Sequence, residues 1–230
     1  MRIAVLSDIH ANLEALESVL SSLAGYDSLF LLGDLVGYGA EPNEVVERVR
    51  SLDPEVVICG NHDYAVVTGD TSDFAVHAAL AVEWTRRRLH PRNLDYLANL
   101  SCSAHLEQNG LRLAAYHGSP RDPINEYVFP GTSELISSSM IELAKADVLL
   151  LGHTHVPMQA ETSSGFLFNP GSVGQPRDGD PRASYAILNI EEKKVDFEVT
   201  RISYDVDSAS SKILQENLPR FLADRLHLGY

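Results

Sequence analysis

The chain has 230 residues, 44% hydrophobic and 22% charged, the balance of one globular domain over 1–230 that can bury a core rather than a low-complexity segment. Its formal net charge of -14 excludes a broad electropositive surface, so nucleic acid is not a favoured partner. Cys59 and Cys102 alone support neither a disulfide framework nor a cysteine zinc site. With no apolar run near the roughly 20 residues of a membrane span and no leader pattern, a cytoplasmic protein without membrane partners is expected.

Strand-like Ile3 to Leu6 leads through Asp8 into a helical pattern over Asn12 to Leu23, with Asn12 as the cap and Leu13, Leu16, Leu20 and Leu23 on one face. A second apolar run, Leu29 to Leu32, precedes Asp34. A helix over Pro42 to Leu52 then leads to the run Val56 to Ile58, giving β-α-β-α-β and a wound, partly parallel sheet. Residues 68 to 100 form a helical insert without a strand. Ala104 to Gln108 and Leu111 to Tyr116 flank Asn109-Gly110, a strong hairpin signal, so the second half is expected to turn antiparallel. A helix over Ser133 to Ala146, a strand at Val148 to Leu151, hairpins around Ser164-Gly165 and Glu191-Glu192, and helices over 205–228 complete the chain.

Five of these apolar runs end on metal-ligand residue types: Asp8 and His10, Asp34, Asn61-His62-Asp63, His117, and His153 with His155. Loops converge at the strand ends of open α/β sheets, so residues distant in sequence can form one site. The i, i+2 spacing of Asp8/His10 and His153/His155 projects both members to one side of an extended backbone. Mixed carboxylate, imidazole and amide donors suit Mn, Fe, Zn or Ni better than calcium. Asp8, His10, Asp34, Asn61, His117, His153 and His155 are too many for one tetrahedral ion, whereas two ions sharing a carboxylate fit. Such a centre clamps the attacking and leaving oxygens of a displacement at phosphorus, which points to phosphoester hydrolysis.

The segments DIH, GD, GNHD, HG and GHTH, in this order over roughly residues 1 to 175, resemble the calcineurin-like metallophosphoesterase superfamily. The resemblance implies a four-layer α/β/β/α sandwich of two mixed β-sheets flanked by helices. It also implies two divalent or transition metal ions, manganese first among them, one held by Asp8, His10, Asp34 and His155 and the other by Asp34, Asn61, His117 and His153. Asp34 would bridge, a hydroxide bridging both ions would attack phosphorus, and His62 would assist the leaving oxygen without ligating metal.

Protein phosphatases of the superfamily carry an Asp-Arg pair after the bridging aspartate and an arginine before GNHE. Gly37-Tyr38 and Cys59-Gly60 stand in those places. The phosphate-clamping arginine and the histidine-orienting aspartate are therefore missing there, with Asp63 as the candidate to orient His62. Residues 33–39 and 169–184 look more like the small bacterial and archaeal phosphodiesterase branch, with diadenosine tetraphosphatases as neighbours. The expected substrate is a small phosphodiester. A phosphomonoesterase, a protein phosphatase, or a protein-binding scaffold on the same fold are the alternatives. Arg121, Tyr127 and Arg177, in loops beside the motifs, are candidate substrate contacts, and His77 is a weaker one.

Overall fold

The computed structural model describes residues 1–192 and 194–230. Its strands are β1 (Arg2–Leu6), β2 (Ser28–Leu31), β3 (Val56–Val57), β4 (Ser103–Gln108), β5 (Leu111–Tyr116), β6 (Val148–Leu150), β7 (Met158–Thr162), β8 (Gly165–Asn169), β9 (Ala183–Glu191) and β10 (Lys194–Ile202). They form two five-stranded sheets, ordered β10-β9-β1-β2-β3 and β4-β5-β6-β8-β7. In the first, β1, β2 and β3 run parallel and β9 pairs antiparallel to β1. In the second, β5, β6 and β8 are parallel neighbours with β4 and β7 antiparallel at the edges.

The period-2 alternation of strand side chains decides which layer each strand residue joins. Ile3, Val5, Phe30 and Leu32 of the first sheet meet Leu113, Ala115, Val148, Leu150 and Phe168 of the second in one buried cluster. Their sequence neighbours Ala4, Leu6, Leu29 and Leu31 point outward, beneath α1 (Leu13–Ser22) and α2 (Pro42–Ser51). Ala114, Tyr116, Leu149 and Leu151 likewise point outward beneath α6 (Glu134–Ala144). The result is the α/β/β/α sandwich, with each large apolar side chain so buried contributing about 1.5–3 kcal/mol.

The Asn12 side chain caps α1 by accepting from the Ala15 N–H at 3.1 Å. The helical insert read at 68 to 100 resolves into α4 (Val76–Arg88) and α5 (Pro91–Ala98), preceded by α3 (Asn61–Thr68). Helix α3 thus begins on the GNHD motif itself, with C-cap Gly69 at φ 82°. The third strand is shorter than its apolar run, and beyond it Ile58 donates its N–H to Leu31 O at 3.0 Å and forms an isolated bridge to Ser101. The expected antiparallel second half is correct for the hairpins alone, because α6 provides a crossover that sets β6 parallel to β5. In the hairpin around Glu191-Glu192, which joins β9 and β10, residue 193 lies outside the described residues. At the carboxyl end, α7 (Val206–Gln215) and α8 (Arg220–Asp224) bury Ile213, Leu222 and Leu226 together with Tyr38 and Ala78. That cluster brings the carboxyl end against α4 beside the strand-end loops.

Candidate metal centre and substrate cleft

The loops after β1, β2, β3, β5 and β6 deliver all seven candidate ligands to one edge of the sandwich. Donor atoms of Asp8, His10, Asp34 and His155 lie within 4.8 Å of one another, as do those of Asp34, His117 and His153, so Asp34 belongs to both groups. Asp34 Oδ2 stands 3.5 Å from His10 Nε2 and 3.3 Å from His117 Nε2. Asn61 Oδ1 lies 3.2 Å from His117 Nε2, which places the amide at the second group. Residues on five different loops meet here.

The local backbone differs from the extended pairs read from spacing. Asp8 (φ 55°), His10 (φ 51°), Asp34 (φ 53°), His153 (φ 67°) and His155 (φ 60°) all occupy the left-handed region. Such conformations cost about 1–3 kcal/mol each in non-glycine residues and persist where surrounding structure enforces them. Both i, i+2 pairs therefore converge through tight left-handed turns rather than strand pleating. Gly60 permits the packing of β3 on Asp34, since a Cβ there would overlap the Asp34 carboxylate and backbone.

Each candidate ligand histidine is clamped through one ring nitrogen to a backbone carbonyl. His10 Nδ1 pairs with Val36 O at 3.1 Å, His117 Nδ1 with Leu32 O at 2.7 Å, His153 Nε2 with Asn125 O at 3.1 Å, and His155 Nδ1 with Gln175 O. A carbonyl accepts only from N–H, so whenever the ring is neutral the opposite nitrogen carries the lone pair, the arrangement found behind metal-bound imidazoles. His10 Nε2 and His155 Nε2 face each other at 3.0 Å, beside a buried Asp8 Oδ1 that has no hydrogen-bond partner among the described residues. Opposed lone pairs beside an unsatisfied carboxylate oxygen suit a cation.

Protonation states fit the same donor set. Burial opposes ionisation of Asp8, but His155 and His117 outweigh it and hold its carboxyl below the usual range. Asp34 is held low in the same way, chiefly by His117 against burial. Burial pushes His10 and His155 down and takes His153 to about 3, which keeps these rings neutral. At His117 the pull of Asp34 overcomes burial and raises the ring to about 9, so the position that holds a proton against this carboxylate would hold a cation in the same way.

His62 is different. It lies in the first turn of α3, its backbone N–H donates to Asp34 Oδ1 at 2.8 Å, and its Nδ1 has no hydrogen-bond partner among the described residues. Asp63 does not orient it: the Asp63 carboxylate accepts from the Val36 and Gly60 N–H groups, each at 3.1 Å, closing the turn that carries the motif. Burial, reinforced by Asp34, raises Asp63 to about 7.

A cavity of about 350 Å³ opens above the centre, lined by His62, His153, Phe74, Tyr127, Arg177 and Arg225 among others. Tyr127 stacks on His153 with centroids 3.8 Å apart, and Arg177 Nη2 donates to Tyr38 Oη at 3.2 Å. Arg121 lies elsewhere, its Nε donating to Glu126 Oε2 at 3.1 Å. Phe74 and His77 bring the start of α4 over the cleft, giving the helical insert a place in its wall. From sequence, Tyr38 reads only as standing in place of the protein phosphatases' Asp-Arg pair, and Arg225 is not singled out. Tyr38 sits two residues past Val36 in the GD loop, but Arg225 carries no motif at all.

The sequence pattern of the calcineurin-like phosphoesterase superfamily domain matches residues 1–193. The chain belongs to this superfamily. As a member it is a metal-dependent phosphoric ester hydrolase by class, and the two clusters are fit to bind the metal ions that class implies. It is 38% identical to an uncharacterized protein of Methanocaldococcus jannaschii, with 99% of this chain and 98% of that protein aligned. It is 28% identical to phosphodiesterase YfcE of Escherichia coli over 82% of this chain and 88% of that one. The crystal structure of a metallophosphoesterase from Sphaerobacter thermophilus superposes with a TM-score of 0.84 at 37% identity, covering 100% of this chain and 99% of that chain. Among the described residues no helix is long and apolar enough to cross a membrane.

Proposed function

We propose that this protein hydrolyses small phosphodiesters at a two-metal centre. Asp8, His10, Asp34 and His155 would hold one ion, and Asp34, Asn61, His117 and His153 the other, with manganese the first candidate from the mixed oxygen and nitrogen donors. The observation that carries this assignment is the backbone clamp on His10, His117, His153 and His155, which His62 lacks. When bound, the ions supply Lewis acidity toward the phosphoryl oxygens and acidify the attacking water.

The chain's own residues then orient and protonate. Asp34 shares its carboxylate between the two donor groups while anchoring the His62 backbone, so the turn carrying His62 is fixed relative to the centre. The His62 ring, free of any clamp and facing the cleft, is placed to hold or deliver a proton at the departing ester oxygen. Tyr127 and Phe74 offer aromatic surface to the ester group, and Arg177 offers positive charge to a phosphoryl oxygen. The similarity to a protein named a phosphodiesterase supports the diester preference. Two free cysteines, one of them exposed, accord with a reducing cytoplasm.

The test is a paired rate assay on manganese-supplemented protein, comparing bis-p-nitrophenyl phosphate with p-nitrophenyl phosphate under matched conditions. Faster diester cleavage is expected. Faster monoester cleavage would replace the diesterase reading with a phosphomonoesterase one, and inertness toward both would reject hydrolysis of such esters.

A further inference from the structure

The His62 imidazole is surrounded by other rings and has no carbonyl behind it. Its Nδ1 has no hydrogen-bond partner among the described residues, and the neighbouring Asp63 carboxylate is already taken by the Val36 and Gly60 N–H groups. Three aromatic side chains enclose it instead. The Tyr38 ring lies tilted against it with centroids 4.3 Å apart, while Phe74 at 4.8 Å and His10 at 4.9 Å meet it edge to face. Gly37 closes the Nδ1 side, where a Cβ would overlap Nδ1 and Cγ. Such ring pairs set the positive edge of one ring against the negative face of another, so they favour an orientation as well as burying area.

The enclosing rings are themselves fixed. Gly37 at φ 90° and Tyr38 at φ 59° turn the loop after β2 through two successive left-handed residues. The Gly39 N–H then donates to His10 O at 3.1 Å, which pins that loop to the turn carrying Asp8 and His10. Arg177 Nη2 donates to Tyr38 Oη at 3.2 Å and so holds the far end of the phenol. Phe74 arrives from the turn before α4, and both rings pack into the cluster formed by Ala78, Ile213, Leu222 and Leu226. Ile213, Leu222 and Leu226 belong to the carboxyl-terminal segment, beyond the residues matched by the family pattern. Two rings from distant parts of the chain thus share one support and meet on one imidazole.

We propose that Tyr38 and Phe74 are positioning residues for His62, fixing its imidazole by ring packing in place of the orienting aspartate that the protein phosphatases carry and this chain lacks. The proposal rests on the hydrolytic reading above, in which His62 serves the departing oxygen. In this role each ring acts through His62, so its removal matters only while His62 is present.

A double-mutant cycle on manganese-loaded protein with bis-p-nitrophenyl phosphate tests that dependence. Tyr38→Leu and Phe74→Leu should each lower kcat about 10- to 100-fold, the cost of a displaced catalytic group. Introduced into His62→Ala, the same changes should cost no more than about two-fold. Tyr38→Phe, which keeps the ring, should recover most of the loss. A readout without turnover comes from nuclear relaxation of the histidine rings in isotope-labelled, zinc-loaded protein, with the His62 signal assigned by its absence in His62→Ala. That ring should be rigid in the parent and mobile in either leucine variant. Should Tyr38→Leu fail to fold, Phe74→Leu, at a half-buried position, carries the test alone. Equal losses of kcat with and without His62, or a His62 ring that stays rigid in the folded leucine variants, overturn the proposal. A protein inert toward the ester whose His62 ring is nonetheless freed by these substitutions would remove the hydrolytic reading and leave the positioning of His62 standing.

Discussion

The Asp34 carboxylate faces two ways: Oδ1 accepts the His62 backbone N–H at 2.8 Å, while Oδ2 stands 3.3 Å from His117 and 3.5 Å from His10. One side chain therefore ties both donor groups to the turn that carries His62. Asp34→Asn keeps an oxygen for the N–H but removes the charge shared by the two groups. Elemental analysis of the purified variant should show both metal equivalents reduced, and activity should fall by more than the roughly 10–100-fold typical of losing an outer-shell partner. Loss of one equivalent alone would show that Asp34 serves a single ion.

His62→Ala separates chemistry from metal binding. His62 lacks the carbonyl clamp common to the four candidate ligand histidines, so both metal equivalents should be retained. Turnover should drop by about 10²–10⁴, the range for a positioned acid or base. A variant that loses an equivalent of metal would make His62 a ligand.

Tyr127→Leu probes the cleft wall. The tyrosine ring stacks on His153 at 3.8 Å and is half exposed, so it can cover one side of an ester group as well as a ligand imidazole. An aromatic contact worth about 0.5–1.5 kcal/mol predicts a KM for bis-p-nitrophenyl phosphate raised about 2- to 10-fold with a smaller change in kcat. An effect on kcat alone would assign Tyr127 to holding His153 rather than substrate.

The convergence of the candidate ligand residues could be read from the sequence because short buried strands must end somewhere, and five of them end on donor residue types. Burial of β1, β2, β5 and β6 was equally legible, since each run is apolar on both faces and is covered on both. What spacing could not reveal is the left-handed backbone at Asp8, His10, Asp34, His153 and His155, which strand ends adopt only because packing around them forces it. Arg225 was hidden for a simpler reason: it reaches Tyr38 through the packing of the carboxyl-terminal helices, a contact 187 residues long in sequence that no local pattern records. Arg121 shows the converse, a loop arginine beside a motif whose charge Glu126 already takes up.

Gly37 shows how the backbone serves His62. It has φ 90°, and a Cβ at this position would overlap His62 Nδ1 and Cγ. Gly37→Ala should lower unfolding stability by about 1–3 kcal/mol through backbone strain and displace the imidazole. Urea denaturation and kcat measured on the same preparation should fall together. Unaltered stability with unaltered kcat would mean that the loop yields at no cost.

A last prediction concerns a charge cluster away from the metal ligands. Lys212 of α7 pairs with Glu14 of α1 and with Glu41, the latter at 2.7 Å, joining the carboxyl-terminal helices to the first sheet's helical layer. Two carboxylates share one ammonium, and burial together with Glu14 raises Glu41 from 4.5 to about 6, while Lys212 and hydrogen bonding hold Glu14 below its usual value against burial. Because the folded protein binds the Glu41 proton more tightly than the unfolded chain, the contribution of Glu41 to stability is fully present below pH 4.5 and is lost as pH rises toward 6. Glu14 has the opposite sign, its contribution lost as pH falls below its usual value. Glu41→Gln keeps a hydrogen-bonding side chain beside Lys212 but cannot ionise. Thermal unfolding followed across pH 4 to 7 should therefore show Tm of the variant gaining on the parent through the window from about 4.5 to about 6. Parallel curves across that window would mean that Glu41 is ionised throughout, with Lys212 neutralising both carboxylates.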